Sequence, residues 1–108
     1  MSKMLSILII FSFVFAQVDY ETQVQTIFNN NCTSCHVYGH NSGLNLTSYA
    51  GVMAGNVVIP GDHAASELYD RITRLESDDG DMPPNGSLNQ TQIDLISQWI
   101  DEGALETP

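Results

Sequence analysis

Residues 32–36 read Cys-Thr-Ser-Cys-His, placing two thiols and an imidazole within five positions. The C-x-x-C-H spacing is the signature of covalent haem attachment. On one helical turn the thiols of Cys32 and Cys35 reach the two vinyl groups of a haem and form thioethers. The adjacent His36 then turns its imidazole to the iron as the proximal ligand. Two other chemistries use these donors. A zinc ion could draw on Cys32, Cys35, His36 and His40, but Cys35 and His36 are adjacent and crowd one tetrahedral ion, and no second close ligand pair follows. A thioredoxin-like dithiol needs a βαβ setting, and no long β-branched run suggests a sheet here. A disulfide between Cys32 and Cys35 would close too short a loop to staple a fold.

An iron held by His36 has a second axial position. The candidates are Met82, Met53, His40 and His63. His40 lies four residues after His36, in a loop on the proximal side. His63 reads as a solvated residue in the first turn of a helix, and Met53 as part of an apolar helix face. Met82 has no apolar neighbours to pack with: it sits in Ser-Asp-Asp-Gly-Asp-Met-Pro-Pro-Asn-Gly, residues 77–86. Pro83 disfavours helical geometry at Met82, and Pro84 does the same to Pro83. Both prolines fix φ and stiffen the loop. A soft thioether suits haem iron, and Met/His ligation raises the reduction potential. Met82 is therefore the expected distal ligand. The acids around it, Glu76, Asp78, Asp79 and Asp81, lack the spacing of an EF-hand calcium loop and read as a solvated rim.

Four helices must position these groups. Tyr20, Val24, Ile27 and Phe28 share one face of a helix over about 21–30, broken by three asparagines just before Cys32. A short helix follows at "TSYAGVMAG", capped by Thr47 or Ser48 and ended by Gly55. Asp62 is placed to cap a third helix, on which Ala65, Leu68, Tyr69 and Ile72 share a face. Asn89 and Gln92 have capping-box spacing, with Leu88 and Ile93 as the hydrophobic staple. Ile93, Ile96, Trp99 and Ile100 then form an apolar stripe that Gly103 ends. The fold class is all-α.

The 108 residues allow one small domain. Residues 1–16 read as a cleavable signal peptide: Lys3, an apolar run from Leu5 to Phe15, then Val14 and Ala16 at the −3 and −1 positions. That run of eleven residues is short against the about 20 needed to span a bilayer, so a membrane association is expected only if the segment is retained. Residues 17–108 then form the domain, placed in the bacterial periplasm or outside the cell, where c-type haem is attached. Arg71 and Arg74 are its only basic residues against thirteen acidic ones, and the whole chain has a net charge of −10. Such a surface repels nucleic acid and anionic lipid and favours a basic partner. Nothing in the sequence indicates self-assembly.

These segments, "IFNNNCTSCH", "SGLNLTSYAGVMAG", "VVIPGDHAASELYDRIT", "DMPPNG" and "LNQTQIDLISQWIDEGA", resemble a class I mono-haem cytochrome c, and more closely the planctomycete-type cytochrome c domain. The resemblance runs from about Val24 to Ala104. It implies a small cytochrome c-like fold of three to five helices around one covalently attached haem c, with the first and last helices crossing. It also implies a backbone carbonyl near the Pro-Gly turn, that of Pro60, accepting a hydrogen bond from His36. With both axial positions filled, the expected function is an electron carrier serving redox proteins, and not an enzyme. The alternatives are a haem enzyme or sensor with a labile sixth ligand, and an assembly or docking module.

Overall fold

The computed structural model describes residues 17–33, 35–37, 42–84 and 86–108. The expected signal peptide and His40 lie outside the described residues. Among those described there are four α-helices and no strand: α1 (Gln25–Asn31), α2 (Tyr49–Ala54), α3 (Glu67–Thr73) and α4 (Gln90–Asp101). No described helix is long and apolar enough to cross a membrane.

The first helical segment starts at Tyr20, the first residue of its apolar pattern, and continues through the three asparagines to Asn31 rather than breaking at them. Asp19 accepts a hydrogen bond from the Thr22 N–H, and a wider π-helical turn, Tyr20–Val24, leads into α1. That turn brings Tyr20 onto α4, with its ring centroid 5.2 Å from that of Trp99. The expected crossing of first and last helices, through Val24, Ile27 and Phe28, therefore includes Tyr20 as well. These residues share one buried core with Ile96, Trp99 and Ile100. Burying a large apolar side chain contributes about 1.5–3 kcal/mol, so this cluster is the principal apolar anchor of the fold. The Trp99 indole N–H donates to the Leu105 carbonyl at 2.8 Å, which satisfies the one polar atom of a side chain only 1% exposed.

Helix α4 carries both halves of its capping box: Gln92 N–H donates to Asn89 Oδ1 (2.8 Å) and Asn89 N–H to Gln92 Oε1 (2.9 Å). Gly103, at φ +111°, ends it as expected. Helix α2 is capped by Ser48, whose hydroxyl accepts from the Gly51 N–H at 3.1 Å.

The third segment differs from expectation. Asp62 caps a short 3₁₀ turn, His63–Ala65, and α3 starts only after Ser66. Ser66 is buried and its hydroxyl is shared: it accepts from the Ile59 N–H (2.8 Å) and donates to the Asp62 carbonyl (2.9 Å). That local bonding replaces helix continuation at Ser66. Ala65 consequently lies exposed, while Leu68 and Ile72 enter the core.

His63 docks this segment on α4. Its backbone N–H donates to Asp101 Oδ1 at 3.0 Å, and its Nδ1 lies 2.8 Å from Asp101 Oδ2. These contacts, the backbone N–H foremost, hold the Asp101 carboxyl below its ordinary value of 3.8. A depressed carboxyl stabilises the fold above its unfolded pKa and loses that contribution as pH falls through the folded value. Unfolding midpoints measured from about pH 5 to about pH 2 should therefore fall less steeply in Asp101→Asn than in the wild type.

Candidate cofactor site

Helix α1 ends one residue before the chemistry starts. Cys32 and Thr33 both donate their N–H to the Phe28 carbonyl, at 2.8 and 3.0 Å, closing the helix. The chain then makes one further turn: the N–H groups of Cys35 and His36 both reach the Cys32 carbonyl, at 3.1 and 2.9 Å. The two thiols and the imidazole thus sit on a single turn, as the spacing demands. The turn is tied back by Leu46 N–H donating to the His36 carbonyl at 2.9 Å, and Leu46 O accepts from Gln25 Nε2 at 2.8 Å. Burial pushes the Cys32 thiol up to about 11, with Cys35 adding to the effect. Cys32 is therefore a neutral thiol at pH 7, unlike the low-pKa cysteine of a redox dithiol.

His36 Nδ1 faces the Ser42 hydroxyl at 3.4 Å. That hydroxyl also accepts from the Leu44 N–H at 3.2 Å. Among the hydrogen bonds of the described residues none joins His36 to Pro60; the Pro-Gly turn is held on α4 by Gly61 N–H donating to the Ile100 carbonyl at 2.7 Å. The expectation for Pro60 is replaced by Ser42, whose place in a glycine-rich loop gave no periodic signal.

Met82 is held by the far end of the molecule's third helix. Its N–H donates to the Arg71 carbonyl at 3.0 Å, and the Met82–Pro83 peptide bond is cis. Both residues border a cavity of about 650 Å³, together with Pro84. Cys32, Cys35 and His36 line the same cavity from the α1 side. Its apolar lining comes from Leu44 and Leu46 of the intervening loop, from Val57, and from Leu68 and Ile72 of α3. The four residues expected to carry the chemistry therefore converge on one concave site, of the size that small-molecule and cofactor sites have.

Two other candidates for the distal position, Met53 and His63, go elsewhere. Met53 packs against the hydrophobic core, as Met82 does too, contrary to its polar sequence surroundings; what separates them is that Met53 does not border the cavity. His63 is committed to Asp101 and stacks edge-on against Tyr69 at 4.6 Å. No three His, Cys, Asp or Glu side chains among the described residues are grouped to hold a metal ion. This applies to the zinc set, as far as its described members go, and to the acids around Met82.

A family model described as planctomycete cytochrome C matches residues 32–86, half of the chain. The chain belongs to the planctomycete cytochrome c family. No match is found among curated proteins or solved structures. The matched stretch runs from Cys32 to just past Met82. It omits α4 and the first helix, whose buried residues nevertheless share one core with those of the matched stretch.

A cytochrome c domain implies haem c, and the cavity is suited to one. It offers two thiols and an imidazole on one turn, a thioether from a separate loop, and apolar walls. Arg71 also lines it, and the Arg71 Nε is buried with no hydrogen-bond partner. An unpaired buried donor is costly, and a haem, which carries carboxylates, would supply the acceptor. The sequence marks Arg71 only as one of two basic residues of the domain. Its spacing on the face of Leu68 and Ile72 is the signal that could have placed it here.

The loop before Met82 depends on one glycine. Gly80 has φ +81°, and a Cβ there would lie 2.6 Å from Arg71 Nη1. Gly80→Ala combines a left-handed backbone, costing about 1–2 kcal/mol for a residue with a side chain, with a contact that forces the guanidinium aside. Thermal unfolding of the haem-loaded protein should show a loss of about 1–3 kcal/mol.

Proposed function

We propose that this chain is an exported mono-haem c-type cytochrome that carries electrons through a haem ligated by His36 and Met82, and that it is not an enzyme. The observation that carries the reading is the convergence of Cys32, Cys35, His36 and Met82 on one apolar cavity. In this reading one haem is bound covalently through Cys32 and Cys35 and supplies a one-electron Fe(III)/Fe(II) couple. The chain's own residues do the rest. The turn after α1 fixes the two attachment points and the imidazole together. Ser42 holds the Nδ1 side of that imidazole, which favours a fixed ring orientation. Pro83 and Pro84 limit how far Met82 can withdraw, so little atomic movement accompanies a change of charge. Leu44, Leu46, Val57, Leu68 and Ile72 supply the apolar walls that a haem face would cover.

The acidic surface, with thirteen carboxylates against two guanidinium groups in residues 17–108, supports a redox partner whose docking face is basic. We place the protein in the periplasm or outside the cell, on the strength of the signal-like first sixteen residues. The test is a reductive titration with carbon monoxide present. The expected result is uptake of one electron per chain, a reduced-state spectrum with a methionine–iron signature, and no carbon monoxide adduct at neutral pH. Ready carbon monoxide binding would overturn the carrier in favour of an enzyme or sensor. Concentration-dependent assembly in sizing experiments would favour a docking module.

A further inference from the structure

Between residues 17 and 108 the only cationic side chains are Arg71 and Arg74, and both are directed to one loop. We propose that Arg74, which does not line the cavity, is a positioning residue for Met82: its guanidinium clasps the ligand loop to α3 and so keeps the thioether in place. The proposal rests on the His/Met reading above.

Arg74 Nη1 donates to the Asp79 carbonyl at 2.6 Å, while Nη2 meets Asp70 Oδ2, also at 2.6 Å. One planar group therefore bridges a carboxylate on the helix and a carbonyl on the loop, three residues before Met82. Arg71 supports the next peptide, donating from Nη1 to the Gly80 carbonyl at 3.4 Å, with Glu67 3.1 Å from its Nη2. The Met82 N–H on the Arg71 carbonyl completes the attachment. The loop thus hangs from α3 at Asp79, Gly80 and Met82 in succession.

The loop needs such a clasp because of its charge. Glu76, Asp78, Asp79 and Asp81 lie within six residues, and like charges in so short a segment repel one another. Asp70 and, more weakly, Asp78 and Glu67 favour the charged state of Arg74, so the cation stands in a field of carboxylates. Glycine at position 80 leaves room for both guanidinium groups to approach the loop backbone. The fork also explains why arginine is used. A lysine ammonium is a point charge and cannot meet helix and loop with two fixed nitrogens.

The test uses the full-length holoprotein and imidazole as a probe that competes with Met82 for the iron. Arg74→Gln should keep the methionine–iron signature but bind imidazole about fivefold to tenfold more tightly, the effect of losing one charge-assisted hydrogen bond at a partly exposed site. Arg74→Lys should fall between Gln and wild type. Asn89→Ala, which weakens the α4 cap remote from the loop, should lower the unfolding midpoint without changing imidazole affinity. If Arg74→Gln binds imidazole like the wild type, or if Asn89→Ala binds it as tightly as Arg74→Gln, the clasp is overturned. If Met82→Ala itself leaves imidazole affinity unchanged, the His/Met reading fails and the clasp fails with it.

Discussion

Cys32→Ser/Cys35→Ser is expected to yield a chain with no haem in its denatured intact mass and with little helical structure. The wild type should instead show the mass of the chain plus one haem that denaturation does not remove. The first half of this expectation is chemical, since serine forms no thioether to a vinyl group. The second half follows from the cavity. At about 24 cal/mol per Å³ of unfilled apolar space, a void of about 650 Å³ would cost on the order of 15 kcal/mol. The site opens to solvent, so this is an upper bound, yet a third of it matches the whole stability of many small domains at about 5–15 kcal/mol. Single variants should each keep one thioether and remain coloured after denaturation. Far-ultraviolet circular dichroism and intact mass check both halves. A double variant that stays folded and carries covalent haem would overturn the attachment at these residues.

Met82→Ala should abolish the methionine–iron absorption, lower the reduction potential and admit carbon monoxide to the reduced protein. A thioether favours Fe(II), so its loss favours the oxidised form. Met53→Ala should leave all three readouts unchanged. It should lower stability by about 1–2 kcal/mol, less than the about 2–5 kcal/mol of a fully buried site, because Met53 is only partly buried. The contrast separates two methionines that sequence alone could distinguish only by their neighbours. If Met53→Ala lost the signature and Met82→Ala kept it, the assignment would be reversed.

The parts of the fold that were legible in the sequence are those fixed by local chemistry. The capping box at Asn89 and Gln92 and the stop at Gly103 formed where their residue types require. So did the single turn carrying Cys32, Cys35 and His36. Each depends on hydrogen bonds spanning at most a few residues. The π-helical turn at Tyr20 was not legible, because an apolar period does not distinguish a wider turn from an α-helical one. Nor was the break at Ser66, where one buried hydroxyl bridges Ile59 and Asp62.

The sequence by itself determined the kind of chemistry: two thiols and an imidazole at a spacing that only a helical turn brings together, and a thioether stranded among acids and prolines. Only the tertiary structure decided which methionine shares a cavity with His36, and that Ser42 rather than Pro60 faces its ring. It alone showed that the chain's scarce arginines are directed to the Met82 loop. Those outcomes depend on where α3 lies relative to the turn after α1, and that placement is set by packing of Leu68 and Ile72 into a core shared with Trp99. Burial is a property of the whole molecule, so no local pattern encodes it.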